Sequence, residues 1–158
     1  MCLDEILNKM PKRDINNLTY WTIRYIQGDR CNSTLYFKML NTFSPQIFTP
    51  ISLLLYRGVT LPSNIPLTHL NHYGGFSADL NIANRFIKLS NDRLQEEGNF
   101  TGTGYVIRIN KGLGFGIKGL VKKLKIDNKV DDYINTELEY FMTFSEYCIE
   151  SKINPGSS

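Results

Sequence analysis

The first third of the chain has the hydrophobic pattern of helices. Between residues 15 and 26, apolar and aromatic side chains recur at the spacing of an amphipathic helix, and Gly28 follows as a stop signal. A second helix is predicted to begin at Ser33 or the next residue. Pro45 and Pro50 then separate this helical part from the rest of the chain.

Strand patterns dominate the remainder. Residues 51–59 form an apolar run between prolines, which predicts a buried strand. Residues 79–97 return to helical spacing, with Asp79 as the N-cap. Residues 104–110 alternate as a strand, and residues 137–149 are rich in β-favouring side chains, which predicts one bent strand or two. The alternating strand would carry on one face Tyr105, Ile107 and Ile109.

This order of elements, helices first and then strands with one inserted helix, is typical of an α+β fold. No repeat or long linker divides the 158 residues, of which 42% are hydrophobic and 21% charged. We therefore predict a single domain over residues 1–158. Within it, residues 1–45 form a helical N-terminal part, and residues 51–150 carry the candidate catalytic motifs.

Composition narrows the class of protein. No apolar run approaches the roughly 20 residues that cross a bilayer, and two acids stand near the N-terminus where a secretory signal would carry lysines. Three widely spaced cysteines without a C-x-x-C motif favour a reducing compartment, so we expect a cytoplasmic protein. The net charge of +3 is too small to indicate nucleic-acid binding by itself.

Three short segments carry the candidate chemistry, and the first contains Arg57 in the predicted strand. A buried guanidinium needs an anionic partner because its charge cannot be removed by deprotonation. That partner is either an internal carboxylate or the phosphate of a ligand such as a dinucleotide. The second segment, Gly74-Gly75-Phe76-Ser77, is either a hairpin turn before the helix or a place where backbone, aromatic ring and hydroxyl meet a ligand.

The third segment is the pair Glu137 and Glu139. Side chains alternate along a strand, so both carboxylates should point the same way, roughly 6 to 7 Å apart. Such a pair is either solvated at a sheet edge or faces positive charge that develops on a substrate. Glycosidic-bond cleavage, including that of the nicotinamide bond, passes through such a positive centre.

Taken in order, Tyr56-Arg57-Gly58, then Gly-Phe-Ser with its following helix, then Glu-x-Glu resemble the arginine-serine-glutamate class of mono-ADP-ribosyltransferases. The resemblance covers roughly residues 51–150 and is nearest to small bacteriophage enzymes that modify host transcription and translation proteins. It implies N-terminal helices packed on two small, mostly antiparallel sheets around a central NAD cleft. It also implies transfer of ADP-ribose from NAD, the substrate, to an arginine of a target protein, with release of nicotinamide and without a metal.

The resemblance also assigns roles. Arg57 would hold the NAD phosphates and the nicotinamide-side ribose. Glu139 would bind the ribose 2′-hydroxyl and stabilise the oxocarbenium ion, while Glu137 would orient the acceptor arginine and take its proton. Tyr133 would recognise the target protein together with Glu137. The remaining NAD-binding positions would be Gly58, Gly75, Phe76, Ser77 and Phe86.

One departure from the family pattern concerns its Ser-Thr-Ser motif. Here Ser77 takes the third place, and Gly75 and Phe76 take the first two. Either Ser77 works in a shifted register, or Phe76 and backbone amides position the nicotinamide.

Other functions are compatible with the same sequence. The same site could pass the ribosyl cation to water, as an NAD glycohydrolase. A non-catalytic module could instead bind an acidic partner or RNA through a basic run between Lys118 and Lys129. Residues 114–119 also satisfy the G-x-G-x-x-G pattern of dinucleotide-binding folds, but only about 39 residues follow, so turns or a bend between strands are favoured there. The basic run consists of Lys118, Lys122, Lys123, Lys125 and Lys129.

Overall fold

A computed structural model describes residues 2–28, 31, 33–69, 73–98, 102–127 and 140–153. Three helices open the chain: α1 (Leu3–Lys9), α2 (Lys12–Gln27) and α3 (Ser33–Phe43). Single 3-10 turns follow at Pro45–Ile47 and Leu67–His69. The mixture of helices and antiparallel strands confirms the predicted α+β class. The remaining elements are β1 (Thr49–Ile51), β2 (Leu55–Pro62), β3 (Gly74–Phe76), α4 (Leu80–Gly98), β4 (Gly102–Gly116), α5 (Ile117–Lys123) and β5 (Tyr140–Ile153).

The helix ends follow local signals in the sequence. Gly28 adopts the left-handed conformation, with φ 70°, and its N–H bonds to the last carbonyls of α2. Asp79 accepts a hydrogen bond from the N–H of Asn81 at 2.9 Å and so caps the start of α4, as predicted. Within the described ranges, no helix is both long and apolar enough to cross a bilayer.

The strands form one antiparallel sheet built around β4. β5 pairs with β4 along its full length, and β3 pairs with the first residues of β5. On the other edge of β4, β2 pairs with residues 102–109 and β1 with residues 112–114. Within the described residues the strands therefore form one sheet and not the two small sheets that were expected, because β4 pairs with β1, β2 and β5, and β5 pairs with β3. Two register shifts, between Ile109 and Lys111 and between Leu113 and Gly114, interrupt the long β4–β5 ladder.

The apolar run at residues 51–59 is two strands, not the single buried strand that was predicted. Ile51 pairs with Gly112 and Leu55 with Ile109. Three residues therefore lie between the two paired positions on this edge, whereas only two lie between their partners on β4. The extra residue forces residues 52–54 out of the ladder, and Leu53 and Leu54 are 46% and 51% exposed. Hydrophobicity alone could not reveal this break.

Two hydrophobic clusters lie against the sheet. The first joins the N-terminal helices to the sheet through a set of stacked and edge-on rings that includes Tyr36, Phe37, Phe115 and Phe141. The second lies along β2, β3 and β4, and contains the predicted face of Tyr105, Ile107 and Ile109. The N-terminal helices and the strands therefore share the first of these clusters.

The glycine-rich stretch at residues 114–119 ends β4 and opens α5, where turns or a bend between strands had been favoured. All the described neighbours of β4 are antiparallel, whereas a dinucleotide-binding fold needs parallel strands. Gly114 has a packing role, because a Cβ there would meet the backbone carbonyl of Phe141 on β5.

Candidate active site

A cleft of about 740 Å³ lies between the sheet, helix α4 and the helix pair α2 and α3. Its walls come from the start of β2, from Gly75 and Ser77, from one face of α4, and from α2 and α3. This volume lies within the range of pockets that bind small molecules and cofactors.

The cleft brings together residues that the sequence predicted from separate segments. Arg57 and Gly58 on β2, Gly75 on β3, Ser77 just after it and Phe86 on α4 all line it. These positions span 30 residues of sequence, and antiparallel pairing places β2 and the end of β3 side by side.

Arg57 is half-buried in the cleft wall, on the strand where its motif was found. Its Nη1 donates a hydrogen bond to the carbonyl of Tyr73 at 2.9 Å. The guanidinium lies across Gly74, where any Cβ would meet its nitrogens. Burial lowers the pKa of Arg57 from its ordinary value, and the interaction with Tyr25 opposes that shift. Because arginine stays protonated in proteins, the wall carries a fixed positive charge.

Gly58 sets the distance between β2 and α4. A Cβ at this position would meet the backbone of Ala83, so only glycine lets the helix approach the strand this closely. Two residues further on, the hydroxyl of Thr60 donates to the carbonyl of Ile87 at 2.7 Å. These contacts fix α4 against β2 and thereby present Phe86 to the cleft.

Ser77 is bound to β2 through its backbone. Its N–H donates to the carbonyl of Tyr56 at 2.9 Å, and its carbonyl accepts from the N–H of Tyr56 at 2.8 Å. The hydroxyl accepts a hydrogen bond from the N–H of Asp79 at 3.1 Å and retains a proton of its own to donate. Ser77 is only 2% exposed, so this pairing holds a sheltered hydroxyl next to the strand of Arg57.

Phe76 does not face the cleft, contrary to the predicted ligand contact. Its side chain is 3% exposed and packs with Leu55, Ile107 and Met142 in the second hydrophobic cluster. The reason is strand alternation: Gly75 and Ser77 point to one side, and the residue between them points to the other.

The N-terminal helices supply cleft residues that the sequence did not predict. Tyr25 and Ile26 near the end of α2 and Ser33 at the start of α3 line the cleft. The hydroxyls of Tyr25 and Ser33 are hydrogen-bonded at 3.3 Å. Burial raises the pKa of Tyr25, so the phenol is neutral at physiological pH. The sequence pattern placed Tyr25 and Ile26 on an amphipathic helix and Ser33 at the start of the next helix, and it indicated no further role for them.

The outer part of α4 was also missed. Leu89, Ser90, Asp92, Arg93 and Glu96 continue the cleft lining toward solvent. The charged members of this group are exposed and of mixed sign. Across the residues with described positions, no three histidine, cysteine, aspartate or glutamate side chains are grouped as a metal ion would require.

Glu137, Glu139 and Tyr133 lie outside the described residues, as does Lys129. Glu139 directly precedes Tyr140 in the chain, and Tyr140 pairs with Phe76 at the start of β5. The other four lysines of the basic run are exposed, on α5 or just after it. One of them, Lys123, forms an ion pair with Asp4 at 2.7 Å.

These features rest on the chain's own sequence and geometry. Comparisons with models of known protein families, with curated proteins and with solved structures find no match to this chain.

Proposed function

We propose that this protein is a mono-ADP-ribosyltransferase that transfers ADP-ribose from NAD to an arginine of a target protein. The observation that carries the proposal is the convergence of Arg57, Gly58, Gly75, Ser77 and Phe86 on one cleft. These residues come from two of the three segments on which the resemblance rests. The antiparallel sheet with helices on it is compatible with the ADP-ribosyltransferase-like fold, which is part of the proposal.

In this proposal the cleft binds NAD by charge and shape. The Arg57 guanidinium attracts the phosphates, since arginine forms charge-assisted and bidentate hydrogen bonds with them. Gly75 lines the cleft without a side chain, which leaves room for the ligand to approach the backbone. The half-buried ring of Phe86 offers an apolar face to one of the two heterocycles, and Ser77 offers a sheltered hydroxyl.

The proposed reaction exchanges one bond at the ribose C1′ atom for another. The bond from C1′ to nicotinamide breaks, and nicotinamide leaves with the bonding electrons as a neutral molecule. Glu139 stabilises the positive charge that develops on the ribose. A guanidine nitrogen of the acceptor arginine then bonds to C1′, and its proton passes to Glu137.

The position of β5 supports a role for Glu139. Tyr140, its neighbour in the chain, pairs with Phe76, and Phe76 is the neighbour of Ser77. In the sequence, the proposed catalytic glutamate is one residue from Tyr140, and the cleft serine is one residue from Phe76, the partner of Tyr140. The proposed acceptor is a cytoplasmic protein that presents an arginine to Tyr133 and Glu137, such as a component of a bacteriophage host's transcription or translation machinery.

The test is incubation of the purified protein with labelled NAD and a cell lysate. Wild type should label one or more proteins, and Glu139→Ala should not. The control is Glu97→Ala, an exposed glutamate of α4 outside the cleft lining, which should label as wild type does. Equal labelling by wild type and Glu139→Ala would remove the glutamate from catalysis.

A second variant separates transfer to arginine from hydrolysis of NAD. Glu137→Ala should release nicotinamide but lose protein labelling, because only the transferase needs an acid next to the guanidine. Sensitivity of the labelled bands to hydroxylamine would support the arginine linkage. Nicotinamide release by wild type with no labelled protein would instead favour an NAD glycohydrolase.

A further inference from the structure

Two hydroxyls in the cleft have no role in the proposed reaction. Tyr25 and Ser33 belong to the N-terminal helices, far from the motifs of residues 51–150, yet they line the same cleft as Arg57. Their oxygens are 3.3 Å apart. Tyr25 also interacts electrostatically with the Arg57 guanidinium, and both side chains line the same cleft.

The ring of Tyr25 is held rigidly by other aromatic rings. It stacks on Tyr36 at a centroid distance of 4.7 Å and an angle of 12°, and it meets Phe141 edge-on at 5.1 Å. Tyr36 is itself fully buried and shares a 2.8 Å hydrogen bond with the hydroxyl of Thr22. The phenol oxygen of Tyr25 is therefore preorganised at the cleft wall, and binding a ligand costs little side-chain entropy.

This end of the cleft is rich in hydrogen-bond donors. The bond between Tyr25 and Ser33 uses one of their two hydroxyl protons, so the second can be donated to an acceptor in the cleft. The phenol stays neutral because burial raises its pKa. Ser33 is also the first residue of α3, whose N-terminal end adds partial positive charge.

The negative charges of the described lining stand elsewhere. Its two carboxylates, Asp92 and Glu96, belong to the exposed outer part of α4, whereas the wall formed by α2, α3 and β2 has a cation and hydroxyls. An anionic group in the cleft is therefore favoured at the Arg57 end. A diphosphate suits it, since its oxygens can accept from the guanidinium and from both hydroxyls together.

We infer that Tyr25 and Ser33 complete, with Arg57, a subsite for the diphosphate group of the bound dinucleotide. The identity of that dinucleotide as NAD rests on the proposed function. The helical N-terminal part is then a component of the binding site as well as of the core. The subsite recognises the diphosphate itself, so it should also bind ADP.

Calorimetric titration with ADP and with adenosine tests this subsite. Tyr25→Phe keeps the ring and its stacking but removes the oxygen, and it should weaken ADP binding about tenfold, or about 1.4 kcal/mol, while adenosine binding stays unchanged. Ser33→Ala should have the same selective effect. The matched control is Tyr20→Phe, which removes the hydroxyl of a 51% exposed tyrosine on the same helix and should leave both affinities unchanged.

Three results would overturn the inference: no ADP binding by wild type, wild-type affinity for ADP in Tyr25→Phe, or equal loss of ADP and adenosine affinity. Unfolding curves for each variant show that the compared proteins are folded. ADP binding that depends on Tyr25, without nicotinamide release from NAD, would retain the subsite and reject the proposed enzyme. Labelling of target proteins together with unchanged ADP binding in Tyr25→Phe would retain the proposed enzyme and reject the subsite.

Discussion

Replacing Gly74 with alanine should displace the Arg57 guanidinium while the sheet stays folded. A Cβ at position 74 would lie 2.8 Å from Nε of Arg57 and closer still to its Cζ and Nη1. Comfortable contacts between such atoms are about 3.5 Å or more, so the guanidinium must move by roughly 1 Å. The 2.9 Å bond from Nη1 to the carbonyl of Tyr73 would be lost or lengthened.

Gly74→Ala should affect ADP binding more strongly than it affects the stability of the fold. Hydrogen bonds to charged groups contribute about 1.5 to 3 kcal/mol, so a displaced guanidinium should weaken ADP binding about 10- to 100-fold. The atoms that must move belong to the end of a flexible side chain. The free energy of unfolding should therefore fall by less than about 1 kcal/mol.

Two other glycine variants provide the controls. Gly58→Ala would place a Cβ 3.1 Å from the Cα of Ala83 and closer to its carbonyl, and because backbone cannot move aside, about 1 to 3 kcal/mol of stability should be lost. The added Cβ of Gly119→Ala would meet, among the described residues, only Leu3 at 3.9 Å, so neither ADP binding nor stability should fall. Calorimetry with ADP and urea unfolding measure the two effects. Wild-type ADP affinity in Gly74→Ala, or destabilisation as large as in Gly58→Ala, would refute this reasoning.

Further predictions concern stability. Burial raises the pKa of both Tyr25 and Tyr36, so the folded state keeps protons that the unfolded chain releases near pH 10. The free energy of unfolding should then fall above about pH 10, by up to about 1.4 kcal/mol per pH unit for each phenol, and urea titrations should show a shallower decline in Tyr36→Phe. Asp79→Ala should lower the unfolding free energy by about 1 kcal/mol through loss of the α4 cap, measured as a lower urea midpoint. Asp4→Asn should cost less than about 0.5 kcal/mol in the same assay, because both partners of its ion pair with Lys123 are exposed.

Local signals in the sequence determined much of the secondary structure. Gly28 ends α2 because glycine adopts the left-handed conformation without strain, and Asp79 begins α4 because its carboxylate replaces a missing hydrogen-bond acceptor. Alternation along β4 identified the face that carries Ile107 and Ile109. Each of these features depends on residues that are neighbours in the chain, so the pattern alone suffices.

Tertiary structure decided the features that depend on which segments meet. The break between β1 and β2 comes from a mismatch in length against β4. Alternation along β3 turns Phe76 away from Gly75 and Ser77, but only the packed structure shows which of the two sides faces the cleft. The sequence suggested Arg57 and Ser77 as partners, but only the pairing of strands brings them to one cleft. Tyr25 and Ser33 belong to no sequence motif, since a hydroxyl on a helix lines a cleft only when the sheet packs opposite it.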